Sequence, residues 1–420
     1  MSPRRKIWTW VLGVTGLLAG NSFSSNLEIR ASLGYDFVSQ EYFLDSVITD
    51  TTLSIWQLES SYLDDFKGRL AIHYRPFDDR RLELQTSYEQ SSELYRFRSQ
   101  SDWHPRFGNS RFDLSTEIER RGRHRGENEF GDSYYFGYTR AALTTSVSEK
   151  TNLKFQLSGE FVSFDSAADF NYNYYRLGPK FGISRIFEGF SFLDANFYFV
   201  SRQVPDSSEL DYLSFGIEGS FLGIMEGGDI DLYSRLERKN YNRTDVQDDH
   251  FRVDFDGRGK IKMGAKYFTQ FELQTEIVLY NRQDPLNFDY GRTGWAILAG
   301  IENNGWSVGA GPTFELLMEQ EGTYNAAEDY FEMGGKVEIE VLKAGRIFGS
   351  IESILGYRNL SVEEQFYTDF VFQRLNTLGN ITLVQGLNLN WLFSAEWEWH
   401  DLQQDNSQIF LLSTNLTYSI

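Results

Sequence analysis

The residue pattern predicts an all-β chain closing into a single large antiparallel transmembrane β-barrel of about 18–20 strands. Three observations carry that expectation. First, the closing stretch alternates: Phe410, Leu412, Thr414, Leu416, Tyr418 and Ile420 are separated by Leu411, Ser413, Asn415, Thr417 and Ser419. One face suits hydrocarbon and the other suits water, as a membrane-spanning strand requires. Second, the same two-sided pattern recurs at intervals back to Leu27. Third, aromatic residues reach 16%, with 24 Tyr and 35 Phe, while 24% of residues are charged. The mean hydropathy is accordingly only −0.43. A soluble sandwich would bury its apolar faces in a shared core, whereas a barrel in lipid turns them outward.

Residues 1–25 read as a signal peptide, which leaves 26–420 for the barrel. Arg4, Arg5 and Lys6 form the positive start, and Ile7 to Ala19 form an apolar core of 13 residues. Gly20-Asn21-Ser22 supplies the small residues a signal peptidase reads, so cleavage is expected near Ser22. Thirteen residues fall short of the ~20 that a spanning helix needs. Zero cysteines exclude disulfides, thiolate nucleophiles and zinc–cysteine sites. Removing the leader takes three of the 40 basic residues and none of the 60 acidic ones, giving about −23 (37 minus 60). That balance disfavours nucleic-acid binding, which requires a basic footprint.

The strands follow in order. Leu27, Ile29, Ala31, Leu33, Tyr35 and Phe37 open the series. Leu70, Ile72 and Tyr74, then Leu82, Leu84, Thr86 and Tyr88, flank a turn at Pro76 to Arg80. Phe112 to Ile118, Leu153 to Phe161, Leu193 to Phe199 and Leu213 to Phe221 continue it. Tyr267 to Leu279 makes a long strand. Trp295 to Ile301 meets Trp306 to Phe314 across Asn303-Asn304-Gly305, and Asn-Gly is the strongest short hairpin signal. Phe331 to Val341 meets Ile347 to Leu355 across Lys343-Ala344-Gly345, and Leu387 to Trp399 pairs with the terminal strand. The stretch from Thr51 to Gln100 is ambiguous because alternation slips phase near Gln90.

Turn lengths alternate as well. Short connections interleave with longer polar ones at Asn281 to Phe288, Glu319 to Ala327, Asn359 to Gln365 and Asp401 to Asn406. Short turns on one side and longer loops on the other are expected when each hairpin crosses the same slab twice. The first strand follows the leader directly, so no plug domain is expected, and neither is energy-coupled uptake.

This pattern resembles the outer-membrane β-barrels of Gram-negative bacteria in the porin-like size range. The resemblance spans the mature chain and rests on alternation, aromatic content and turn rhythm. Leu416-Thr417-Tyr418-Ser419-Ile420 looks like the C-terminal assembly signal of that class, ending in Ile where Phe or Trp is usual. It implies residence in the outer membrane, contact with lipid and lipopolysaccharide, and assembly by the barrel-assembly machinery through the C-terminal strand.

With these strand phases, the positions opposite the apolar ones face a lumen. They carry Glu272, Glu276, Glu315, Glu338, Glu340, Glu352, Glu396 and Glu398, with Arg252, Lys336 and Arg358 on the same face. Rings of carboxylates set ion preference in cation channels. Neighbouring opposite charges also pair and brace a wall, and bracing is the expected role of most of these residues. Trp295, Trp306, Tyr357, Trp391, Trp397, Trp399 and Tyr418 are expected at the membrane interfaces, where amphipathic rings belong. The five histidines sit in no nucleophile or metal motif, so neither catalysis nor a cofactor or metal is expected. Arg120 to Arg125 reads as a solvated loop. The expected function is passive passage of small hydrophilic solutes with a mild cation preference. The alternatives are a dedicated exporter of a secreted polysaccharide and a plugged structural barrel.

Overall fold

The computed structural model describes residues 27–47, 54–77, 81–91, 94–123, 133–165, 172–242, 248–282, 289–319, 329–343, 346–360, 369–400 and 406–419. Twenty antiparallel strands of nine residues or more form one closed barrel, joined by a two-residue strand at Arg106–Phe107. Each strand pairs with its sequence neighbours. The first, Leu27–Val47, also pairs with the last, Ser407–Ser419, from Arg30 opposite Ser419 to Glu41 opposite Gln408. Closure leaves no open edge in lipid, where an unpaired backbone amide would cost several kcal/mol. The count sits at the upper end of the sequence expectation.

The ambiguous stretch resolves into Ser54–Tyr74, Leu82–Gln90 and Leu94–Trp103. The phase slip near Gln90 is a hairpin turn, and the outward positions change from even (Tyr88) to odd (Phe97) across it. Leu27–Val47 and Ser54–Tyr74 run 21 residues each, against 13 to 15 for most strands, so this hairpin extends furthest toward the long-loop end.

Which face points inward follows from geometry. Arg258 on His250–Met263 and Glu338 on Tyr330–Lys343 lie four strands apart, roughly 19 Å along a flat sheet. Their guanidinium and carboxylate nevertheless meet at 3.2 Å. Lys336 Nζ reaches Glu272 Oε2 at 2.7 Å across three strand spacings. Only the concave side of a curved wall permits such contacts. Because side chains alternate with period two, every other residue then faces outward. Phe271, Ile297, Ile351 and Leu355 are among these, all more than a third exposed on the bare protein surface.

Two prolines sit inside strands, where each lacks a ladder donor. At Pro312 the pairing of Tyr290–Asn303 with Trp306–Glu319 is interrupted between Ala296/Thr313 and Ala299/Ala310. At Pro179 the ladder is interrupted in the same way, between Tyr198/Lys180 and Ser201/Leu177. The small inward residues beside Pro312, Gly309 and Gly311, let Leu298 and Ala296 become almost fully buried beneath the bridging ions. At the short-turn end Gly305 takes a positive φ of 84° in the Asn304-Gly305 turn.

Candidate functional site: the barrel lumen

The register places every sequence-predicted charged candidate on the inner face, and each carboxylate among them has a partner. Glu272 accepts from Lys336 at 2.7 Å and from Gln270 at 2.8 Å. Glu338 accepts from Arg258 at 3.2 Å and Gln270 at 3.1 Å, and Glu340 from Ser307 at 3.2 Å. Glu352 holds the second side of Lys336 at 2.8 Å. Glu396 pairs with Arg374 at 2.8 Å, and Glu398 accepts from Ser407 at 2.6 Å. Arg358 binds Glu332, which also receives Arg374 at 3.1 Å. The arrangement cross-links strands, and much of its charge is already neutralised.

Several bridges skip a strand, and a glycine on the skipped strand makes room. Tyr198 donates to Glu237 at 2.6 Å over Gly216, which is register partner to both. Lys154 reaches Asp194 past Gly182. Arg374 reaches Glu332 past Gly356, whose missing side chain is replaced by the Phe372 ring. A methyl group at Gly216 would press into the Leu236 carbonyl and the Tyr198 ring.

Sequence reading missed a repeated unit near the long-loop end. Glu119, Glu276 and Glu315 each take an arginine from the preceding strand (Arg96, Arg252, Arg292) and a tyrosine hydroxyl from the following one (Tyr134, Tyr290, Tyr330). Glu160 does the same with Tyr174 and Arg176, both from the following strand. Just ahead of Tyr174 and Tyr290, and of His250 and Phe370 at the equivalent strand starts, sits a carboxylate or amide that caps the incoming strand. Asn173 takes the amide of Phe164, Asp249 that of Tyr241, Asp289 that of Tyr280 and Asp369 that of Leu360. The signal was present in one dimension as Asn173-Tyr-x-Arg176, Asp249-His-x-Arg252 and Asp289-Tyr-x-Arg292, spaced by two hairpins and then one.

One stretch of wall differs. Along Phe370–Val384, Leu387–His400 and Ser407–Ser419 the inner face below Arg374 and Glu396 is neutral. Asn380 pairs with Asn390 at 2.5 Å, Thr382 with Asn388 at 2.7 Å and Ser394 with Asn376 at 2.8 Å. Between them Leu378, Leu392 and Ile409 stand 41%, 44% and 39% exposed. These aliphatic residues share the face of Asn376 and Ser394, so they look into the hollow.

The aromatic candidates all lie in the outward phase. Trp397, Trp399 and Tyr357 are near the long-loop end; Trp306 and Tyr418 are at the short-turn end. Trp295 and Trp391 stand further in, five and four residues from the start of their strands. Trp391 lies against Gly379, and Trp295 stacks on Phe314 at 5.5 Å. The run from Arg120 is also corrected. Arg120 to Arg123 belong to the strand Ser110–Arg123, and Arg120 covers the Tyr135 ring at 4.1 Å and pairs with Asp165. The signal peptide, the cleavage position, the terminal Ile420, His124 and most of each predicted long loop lie outside the described residues. Among the described residues no group of three or more His, Asp or Glu could hold a metal ion.

The sequence matches no protein-family model and no curated protein. Solved structures do match. OccK2 (OpdF) of Pseudomonas aeruginosa aligns over 95% of this chain and 100% of its own, at 9% identity and a TM-score of 0.51. A BenF-like porin from Pseudomonas fluorescens aligns over 95% and 100%, at 10% identity and 0.50. The alcaligin outer-membrane receptor FauA of Bordetella pertussis aligns over 93% and 76%, at 10% identity and 0.51. The fold is that of a Gram-negative outer-membrane β-barrel. An apolar outer wall on a closed barrel is stable only in a bilayer, and that fold places the chain in the outer membrane.

Proposed function

We propose that the barrel is a passive channel for small hydrophilic solutes. The observation that carries this reading is a twenty-strand wall with a polar inner face, because barrels of 16 to 18 strands already leave room for an aqueous path. A mild cation preference fits two carboxylates, Asp231 and Asp256. They line one recess of the inner wall and make no ion pair or hydrogen bond with described residues. Planar-bilayer recording of the purified protein tests both parts. Stepwise conductance is expected, with a reversal potential of cation sign in a KCl gradient. A correctly folded barrel that never conducts removes the channel.

The second reading, export of a secreted polysaccharide, is favoured by the neutral amide, hydroxyl and aliphatic wall, which suits uncharged hydroxyl-rich polymer better than ions do. A plugged barrel would assemble normally and stay closed. With any of these readings, we propose export by cleavage near Ser22 and assembly through the C-terminal strand.

A further inference from the structure

The inner wall near the long-loop end holds a cluster of cations that the bracing network does not absorb. Arg176 and Arg202 face each other directly across neighbouring strands, a like-charge pair that is unfavourable in a sheet. Arg176 has a carboxylate, Glu160, at 2.6 Å. Arg202 makes no ion pair or hydrogen bond among the described residues, and its Nε is buried without a partner. Its guanidinium lies instead between two rings, 4.6 Å from Tyr174 and 5.9 Å from Tyr212.

The next residues along the wall add a second cation. Lys239 approaches the same ring, its Nζ 4.7 Å from the Tyr212 centroid. Its nearest carboxylate, Glu237, is 4.0 Å away and already accepts from Tyr198. Between the two cations stands Ser214. It is register partner to Lys239 and one diagonal step from Arg202, since Tyr212 is the residue opposite Arg202. Ser214 is 3% exposed, and its Oγ has no hydrogen-bond partner. A buried hydroxyl or guanidinium N–H left unpaired costs about 1–3 kcal/mol. Two such groups beside one cation without an acid and a second whose long ion pair is shared with Tyr198 call for an acceptor from outside the chain.

We infer that Arg202, Ser214 and Lys239 form an anion-binding subsite in the mouth of the barrel, taking the carboxylate or phosphate group of a hydrophilic solute. The tyrosines hold the cations in place by cation–π contact, so less side-chain entropy is lost on binding. The guanidinium offers a planar fork to an oxyanion, and the ammonium supplies a point charge. The subsite needs no open pore, so its fate is separable from that of the channel.

Calorimetric titration of the folded, detergent-purified barrel tests the inference. The probes are glucuronate, inorganic phosphate and glucose. Saturable binding of glucuronate or phosphate and none of glucose is expected, and the two anions compared with each other distinguish a carboxylate solute from a phosphorylated one. Arg202→Gln and Lys239→Gln should each weaken binding about tenfold or more. Lys262→Gln, paired with Glu302 at the opposite end of the barrel, should leave it unchanged. Should Arg202→Gln fail to fold, as read by its heat-dependent gel shift, Arg202→Lys keeps the charge without the fork and should still weaken binding. The inference is overturned if neither anion binds, if glucose binds equally well, or if the folded Arg202 and Lys239 variants bind like the parent.

Discussion

Two stretches of the same inner wall are built on opposite terms. From Gly228 to Leu360 the inward side chains are largely ions tied to one another over one to four strands, with Lys336 gripped by Glu272 and Glu352. Over Asn376 to Thr382, Asn388 to Ser394 and Ile409 to Asn415 the inward side chains are amides and hydroxyls with Leu378, Leu392, Ile409 and Leu411 among them. The first stretch spends its charge on holding the wall, and the second presents little charge at all. Counting lumen carboxylates therefore overstates the field a passing ion would meet, and the unpaired groups decide selectivity. Asp231 and Asp256 are such groups on one side of zero; Arg202, beside the weakly paired Lys239, is such a group on the other.

The comparison breaks first if the inner and outer faces are misassigned. Ile297→Arg, at the centre of an outward face, should destabilise the vesicle-inserted barrel by about 2–4 kcal/mol. Leu392→Arg, at the same depth on the neutral inner wall, should shift stability by roughly 0.5 kcal/mol or less. Urea unfolding followed by tryptophan fluorescence measures both. Equal costs would contradict the assignment of faces.

Next in size is the hub of the charged stretch. Lys336 is 7% exposed, and Lys336→Met strands Glu272 and Glu352 against each other. Breaking a fully buried pair costs about 3–5 kcal/mol; with both carboxylates partly solvated, roughly 2 kcal/mol is expected here. Adding Glu272→Gln and Glu352→Gln to Lys336→Met should recover most of that loss, because the repulsion goes with the charges. If Lys336→Met is as mild as Leu392→Arg, the bracing role is lost. Gly216→Ala should cost somewhat less, about 1–2 kcal/mol, by pushing Tyr198 off Glu237. The gel shift of that variant in its folded form should then occur at a lower temperature.

How much of this could be read from residues alone divides along the same line. Tyr267–Tyr280 and Tyr330–Lys343 were legible because their outward sides are mostly apolar and the middles of their inward sides polar, from Gln270 to Glu276 and from Glu332 to Glu340. Phe370–Val384 was not, since Phe370, Phe372 and Leu378 put apolar side chains on its inner face and blur the alternation. The face of each charge followed from phase, but its partner did not. Lys336 and Glu272 are 64 residues apart, and only the closing curvature and the break at Pro312 bring them together. Arg202 and Lys239 carry no mark in one dimension either. What singles them out is that Arg202 has no acid among the described residues and Lys239 shares Glu237, 4.0 Å away, with Tyr198, a property of four strands together.

The smallest effect lies outside both stretches, where the outer face meets the long-loop end. Asp165, just beyond its strand, pairs with Arg120, and that hydrogen bond holds the Asp165 carboxyl below the usual aspartate range. A carboxylate whose folded pKa is depressed adds stability above its unfolded value near 4, and that contribution disappears as pH falls through the folded value. Asp165→Asn should therefore lower the unfolding midpoint slightly at pH 7 and leave it unchanged at the acid end. Arg120→Gln should mimic it at pH 7, and the double variant should be no worse than either single one, because both remove the same contact. Asp165 is well exposed, so the difference should also shrink in high salt. If the Asp165→Asn effect persists undiminished into acid, the carboxylate charge is not its source. Stacking of Arg120 on Tyr135 would then account for the order of this corner.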